Sequence, residues 1–246
     1  MAKKLFYIII DSETTQPNAK TNLPAKVADF SAVIVDKKGE IYNKCAVLVK
    51  GIYDNVETPL YYSSADTSGI WSKAGQDIRY KRYNEMLNSG SRMLASVNAI
   101  NRWLSQAVGK YNPILTAYNL AFDIDKCNNS GIDLTGFKNS FCLWYAAQAK
   151  WGHTKNYKQF ILDTHSFRPR TELGNMSYIT NAEIMARFVL GNPELPDEPH
   201  TALEDVIYYE LPILIKLVNS TKKEFYLNPP AYNWHDYQVK DHFKPK

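Results

Sequence analysis

Cysteine is scarce in this 246-residue chain: Cys45, Cys127 and Cys142 are an odd number and show no C-x-x-C spacing. That argues against a disulfide framework and against a zinc site, and the thiols are expected to be buried and reduced. Nor does any stretch approach the ~20 apolar residues of a membrane span. The run after Lys3 and Lys4 is shorter than a secretory h-region and meets Asp11 without a small-residue cleavage site, so the expectation is a soluble, cytoplasmic protein with no membrane partner. A large charge surplus is missing too. With 29 basic and 25 acidic residues the formal net charge is +4, which permits a nucleic-acid partner without requiring one. Repeats and low-complexity tracts are absent.

What is present is a core-forming composition, 45% hydrophobic and 13% aromatic, enough for one large domain or two small ones. Residues 4–10, 27–35 and 40–49 read as strands, the last two joined by a hairpin turn at "DKKG". Residues 51–90 lose periodicity and read as an insertion or a long functional loop; "IRYKRY" (78–83) within them offers Arg79, Lys81 and Arg82 as substrate contacts. A helix is predicted over 92–108, a strand over 112–118 and a helix ending near Gly131. A short strand or turn passing into a helix covers 137–150, a second long stretch 150–175, and helices 177–190 and 201–219. A strand feeding a helix implies a parallel crossover and an α/β fold. The tail from 221 to 246 interleaves lysines with aromatics and reads either as a docking or base-stacking segment or as a tail packed on its own domain.

Three constellations carry chemistry. In "LFYIIIDSETT" an apolar strand runs into Asp11 and Glu13, which share a face if the strand continues; such a pair is either a polar strand end or half of a cation site. In "AYNLAFDIDK", Asn119 and Asp123 follow the fourth strand, where ligand sites of open α/β sheets lie. Both can instead cap a helix, and Asp125 reads as solvent-facing. In "PHTALEDVIYYE", His200 belongs on a loop or first turn and Asp205 on the helix, or the two are a surface His and a dipole-complementing acid. His153, His165, His235 and His242 read as structural or surface groups.

Taken in order, "DSETT", "NLAFD" and "HTALED" resemble the three exonuclease motifs of the DEDDh subgroup of 3′–5′ exonucleases, which includes bacterial proofreading subunits and ribonuclease T. His200, five residues before Asp205, fits the His subgroup; the sibling subgroup's Tyr position is Thr201 here. The resemblance implies a ribonuclease-H-like fold, a mixed central β-sheet flanked by helices, with the exonuclease domain over 1–220. It implies two Mg²⁺ or Mn²⁺ ions held by Asp11, Glu13 and Asp205 with Asp123 assisting, and His200 as general base. Thr14, Thr15 and Asn119, beside these acids, are further substrate-contact candidates. The implied partner is single-stranded nucleic acid, DNA ahead of RNA, and the implied products are nucleoside 5′-monophosphates. A chain working alone and one working beside a polymerase or another replication or repair protein are both open. An exoribonuclease, a ribonuclease-H-like endonuclease and a catalytically silent binding protein on the same fold are the alternatives. Gln16 and Pro17 stand where family members often have Gly, which leaves the loop that passes the terminal nucleotide open to difference.

Overall fold

In the computed structural model, which describes residues 4–18, 22–169, 176–231 and 238–239, the opening apolar run becomes β1 (Phe6–Thr14). It pairs antiparallel with β2 (Val27–Asp36), a strand buried at every position. Burial on both faces explains why neither strand shows a simple apolar/polar alternation. Tyr7 and Ile9 of β1 enter one core, Ile8 and Ile10 the opposite one. Ile8, Ile9 and Ile10 are each fully buried, worth about 1.5–3 kcal/mol apiece. After the "DKKG" turn, where Gly39 takes a positive φ of 82°, β3 (Ile41–Val49) continues the sheet antiparallel to β2.

The stretch 51–90, expected to be an insertion or loop, contains α1 (Lys73–Ser89), a 17-residue helix. Its buried face is Gly75, Gln76, Arg79 and Tyr83, so no apolar stripe announces it. Gly75 is required there, because a Cβ would lie 2.3 Å from the Ile70 carbonyl oxygen.

The short β4 (Met93–Ala95) adds a parallel edge to β3, and α2 (Val97–Tyr111) starts at the Ser96 cap, later than the predicted start. Parallel to β1 runs β5 (Ile114–Ala117), followed by α3 (Leu120–Ser130) and β6 (Ser140–Cys142). The sheet order is β4-β3-β2-β1-β5-β6. Helices α2 and α3 pack on one face. The other is covered by α4 (Leu143–Ala147), α5 (Lys155–Asp163), α6 (Ala182–Leu190), α7 (Ala202–Asp205), α8 (Leu211–Ser220) and α9 (Lys223–Leu227). This is the mixed sheet flanked by helices that a ribonuclease-H-like fold calls for.

A small second sheet joins β7 (Phe167–Pro169), β8 (Met176–Tyr178) and β9 (Gln238–Val239). The helix predicted from 177 therefore begins only after β8, at the Asn181 cap. Within the tail, Tyr226 is buried with its hydroxyl 2.8 Å from that of Tyr7. Residues 232–237 and 240–246 of the tail, with His235 and His242, lie outside the described residues, as do 170–175. Cys45, Cys127 and Cys142 are free thiols; only Cys127 is fully buried. Among the described residues no helix is long and apolar enough to cross a membrane.

Candidate active site

Alternation along β1 decides the site. Asp11 and Glu13 continue the face of Tyr7 and Ile9, while Ser12 turns to the α3 side and donates a 2.8 Å hydrogen bond to Asp123 Oδ1. The bulge between Glu13 and Thr14 comes just after the second acid, so the pair stays in register. Asn119 sits at the start of α3 with φ of 75° and makes no side-chain cap bond, contrary to the capping alternative. Its side chain lines the cleft instead, and Asp123 follows in the first helical turn. Asp125 is solvent-facing, paired with Lys126 at 2.7 Å. His200 lies on the loop before α7 with φ of 53°, a left-handed conformation that non-glycine residues adopt rarely. Asp205 closes α7.

These residues meet where two lobes of one cleft join. Both lobes are lined by Asp11, Glu13, Tyr118 and Asn119. The first, about 550 Å³, has Thr14, Pro17, Tyr61, Trp71, Phe122 and Lys126 in its walls. The second, about 420 Å³, adds Trp144, Arg168, Asn181, Glu198, His200, Asp205 and Glu210. Glu13, His200 and Asp205 each bring a ligand atom within 4.8 Å of the others, and His200 Nδ1 is 3.8 Å from Glu13 Oε1.

The electrostatics are those of crowded, desolvated acids. Burial, and then the charge of Asp29, pushes Asp11 up to about 7. Burial and then Asp11 push Asp205 up to about 11 and Glu198 up to about 8. Glu13, Asp123 and Glu210 are raised well above the carboxylate range, chiefly by burial and next by Asp11. Buried oxygens of Asp11, Asp205 and Glu210 have no hydrogen-bond partner. Such a donor set, all oxygen and short of positive charge, fits hard divalent cations. His200 moves the other way, down to about 4, through burial and the nearby Arg79 and Arg82 guanidinium groups.

Sequence reasoning missed the supports. Asp29, opposite Glu13 in β2, accepts the Ala202 backbone N–H at 2.9 Å, and Ser31 Oγ donates to the Ala202 carbonyl at 2.8 Å. Arg92 pairs with Asp29 (Nε–Oδ1 3.5 Å) and with Glu204. An acid inside the apolar run "VADFSAVIV" was a visible signal for Asp29; Arg92, Trp71, Glu198 and Glu210 had none.

Three expected substrate contacts, Arg79, Arg82 and Thr15, need correction. Arg79 is 1% exposed and donates to the Tyr61 carbonyl, and Arg82 donates to the Pro199 carbonyl. The face of α1 that carries them turns inward, so neither lines the cleft, and only Lys81 of the three basic residues is exposed. Thr14 lines the first lobe, whereas buried Thr15 accepts the Lys26 N–H at 3.1 Å and is committed to the fold. Gln16 is tied to the 59–62 segment, its N–H donating to the Pro59 carbonyl at 2.6 Å and its Oε1 accepting the Tyr62 N–H at 3.0 Å. His153 and His165 are exposed, as expected of surface groups.

No protein-family model and no curated protein matches the chain. Among solved structures it is similar to the zinc-bound E. coli ExoI–single-stranded DNA complex (13% identity, TM-score 0.47), covering 89% of this chain and 41% of that one. It is also similar to the nuclease domain of 3′hExo, a DEDDh family member bound to rAMP (14% identity, TM-score 0.42), covering 89% of this chain and 94% of that one. A further likeness is to E. coli exonuclease I with a 5cy-dT13 oligonucleotide (14% identity, TM-score 0.42), covering 91% of this chain and 42% of that one. The chain thus spans about two fifths of the exonuclease I chains it matches.

Proposed function

We propose that this chain is a metal-dependent 3′–5′ exonuclease acting on single-stranded nucleic acid, DNA ahead of RNA, and releasing nucleoside 5′-monophosphates. The observation that carries this reading is the convergence of Asp11, Glu13, Asp123 and Asp205 with His200 at the junction of two cleft lobes. Asp11, Glu13 and Asp205, with Asp123 beside them, would hold two divalent ions, Mg²⁺ or Mn²⁺. When bound, these supply electrostatic stabilisation of the attacking and leaving oxygens of an in-line displacement.

The chain's own groups do the rest. His200, held down at about 4, is neutral at physiological pH and can take the proton of the attacking water. Ser12 orients the Asp123 carboxylate through its 2.8 Å bond. Tyr61, Trp71 and Phe122 present ring surface for a base, and Lys126 and Arg168 present charge for phosphates. Thr14 and Asn119 in the cleft and exposed Lys81 complete the proposed contacts; Arg82 acts from behind, on the loop that carries His200, and Arg79 on the Tyr61 carbonyl and the Trp71 ring.

The test is digestion of 5′-labelled single-stranded DNA and RNA, linear and circular, with Mn²⁺ or with EDTA. Linear strands should shorten from the 3′ end in Mn²⁺ only, with mononucleotide products, DNA faster than RNA, and circles should survive. Cut circles would make the chain an endonuclease, and intact linear strands in Mn²⁺ would remove the nuclease reading.

A further inference from the structure

His200 is anchored by its backbone and steered by a ring. Its carbonyl accepts from the Tyr83 hydroxyl at 3.4 Å, and the preceding Pro199 carbonyl accepts from Arg82. The imidazole itself has no hydrogen bond among the described residues: Glu13 Oε1 stands 3.8 Å away, beyond normal reach. The ring packed against it is that of Trp71, 4.4 Å away centroid to centroid and tilted by 50°. Trp71 is gripped in turn by the Arg79 guanidinium, 4.6 Å from the indole, and by the edge of Tyr61 at 5.8 Å. Its backbone is tied down, the N–H donating to Asp66 Oδ2 at 3.0 Å and the carbonyl accepting from Ser63 at 2.7 Å. The same residue also walls the first lobe.

We propose that Trp71 is a positioning residue that couples filling of the first lobe by a nucleobase to the placement of the His200 imidazole. The inference rests on the nuclease reading above. A base packed against the exposed part of the indole narrows the orientations open to Trp71. Because His200 leans on the same ring, those restrictions pass to the imidazole and bring it to the attacking water. A lobe left empty leaves both rings looser. The arrangement favours hydrolysis of a strand whose terminal nucleotide carries a base over one whose terminal nucleotide does not.

The experiment compares the wild type, Trp71→Leu and Trp71→Phe on two single-stranded DNAs, one with an ordinary 3′-terminal nucleotide and one with a 3′-terminal abasic residue, in Mn²⁺. Displacing a catalytic group by about an ångström can cost on the order of 10²-fold in rate. Trp71→Leu should approach that loss in kcat on the ordinary strand, with a smaller change in KM. The abasic end should slow the wild type strongly and the Leu variant hardly at all. Trp71→Phe keeps a ring and the packing, so it should restore most of kcat and the preference for a base. That rescue keeps the test valid even if the Leu variant folds poorly. The His200 proton resonances, identified with His200→Asn, should lose their ring-current shift in the Leu variant and regain much of it in the Phe variant. A rise in KM with kcat unchanged, equal discrimination against the abasic end in all three proteins, or unmoved His200 resonances would overturn the coupling while leaving the nuclease intact. A wild type inert toward both strands would overturn the nuclease reading and this inference with it.

Discussion

The Asp29 carboxylate accepts the backbone N–H of Ala202 at 2.9 Å, joining residues 173 apart in the chain. Through this contact the strand opposite Glu13 fixes the first residue of α7, and with it the spacing between His200 and Asp205. Asp29 and Arg92 have fully buried side chains, so the pair is costly to break from one side. Arg92→Met should cost about 3–5 kcal/mol in urea unfolding, because it strands a buried charge. Asp29→Asn combined with Arg92→Met should be markedly more stable than Arg92→Met alone, since the fully buried charge is then gone and only the part-exposed Glu204 has lost its partner.

Asp11→Asn separates catalysis from stability. Without metal, Asp11 is pushed from 3.8 up to about 7 in the folded chain. The folded state therefore holds a proton that the unfolded state releases, and the wild type loses stability as pH rises from about 4 to about 7. The Asn variant escapes that loss. In EDTA at pH 8 it should melt higher than the wild type, by about 2–4 °C for each kcal/mol recovered in a chain of this size, and the gain should vanish near pH 4. Cleavage should be abolished, and Mn²⁺ should raise the melting temperature of the wild type more than that of the variant.

The acids of the candidate site were legible through the resemblance of "DSETT", "NLAFD" and "HTALED", taken in order, to a known set of motifs, and not from any one of them alone. Taken singly, Asp11 and Glu13 read equally as a polar strand end, Asp123 as a helix cap and Asp205 as an acid near a helix start. The supports were not, because they act across the chain. Trp71 meets His200 only once the fold brings 71 and 200 together, and Arg92 finds Asp29 in the same way. Helix α1 was invisible for a local reason: its buried positions are glycine, glutamine, arginine and tyrosine, and of these only Tyr83 joins an apolar cluster, with Ala28, Leu48 and Leu60. That is also why the arginines of "IRYKRY" read as substrate contacts, with no helix seen to turn them inward.

Arg82 is expected to tune His200 rather than bind substrate. Its charge and that of Arg79 add to burial in holding His200 at about 4. Arg82→Gln removes one positive neighbour, so the His200 pKa should rise toward its ordinary 6.5. The acidic limb of the kcat/KM profile should shift to higher pH in step with an NMR titration of the imidazole. The salt dependence of KM should stay near that of the wild type, because the guanidinium is bound to the Pro199 carbonyl and not to the strand. A flattened salt slope would return Arg82 to the substrate interface.

His200 itself stands between two roles, since its ligand atom lies in the same 4.8 Å group as those of Glu13 and Asp205. A base must be neutral to accept a proton, and with a pKa of about 4 His200 is neutral throughout the usual range. At saturating Mn²⁺, kcat/KM should therefore rise only at low pH and run flat through neutrality. A limb nearer pH 7 that moves down as Mn²⁺ is raised reports ion loading at the carboxylates instead, because cations compete with protons there. His200→Asn is the variant of choice, because asparagine tolerates the left-handed backbone this position adopts better than alanine does. It should lower kcat by on the order of 10²- to 10⁴-fold, the usual worth of a positioned acid–base group, while calorimetric Mn²⁺ titration matches the wild type. Weakened Mn²⁺ binding would make His200 a ligand, and an unchanged rate would leave it no part in the chemistry.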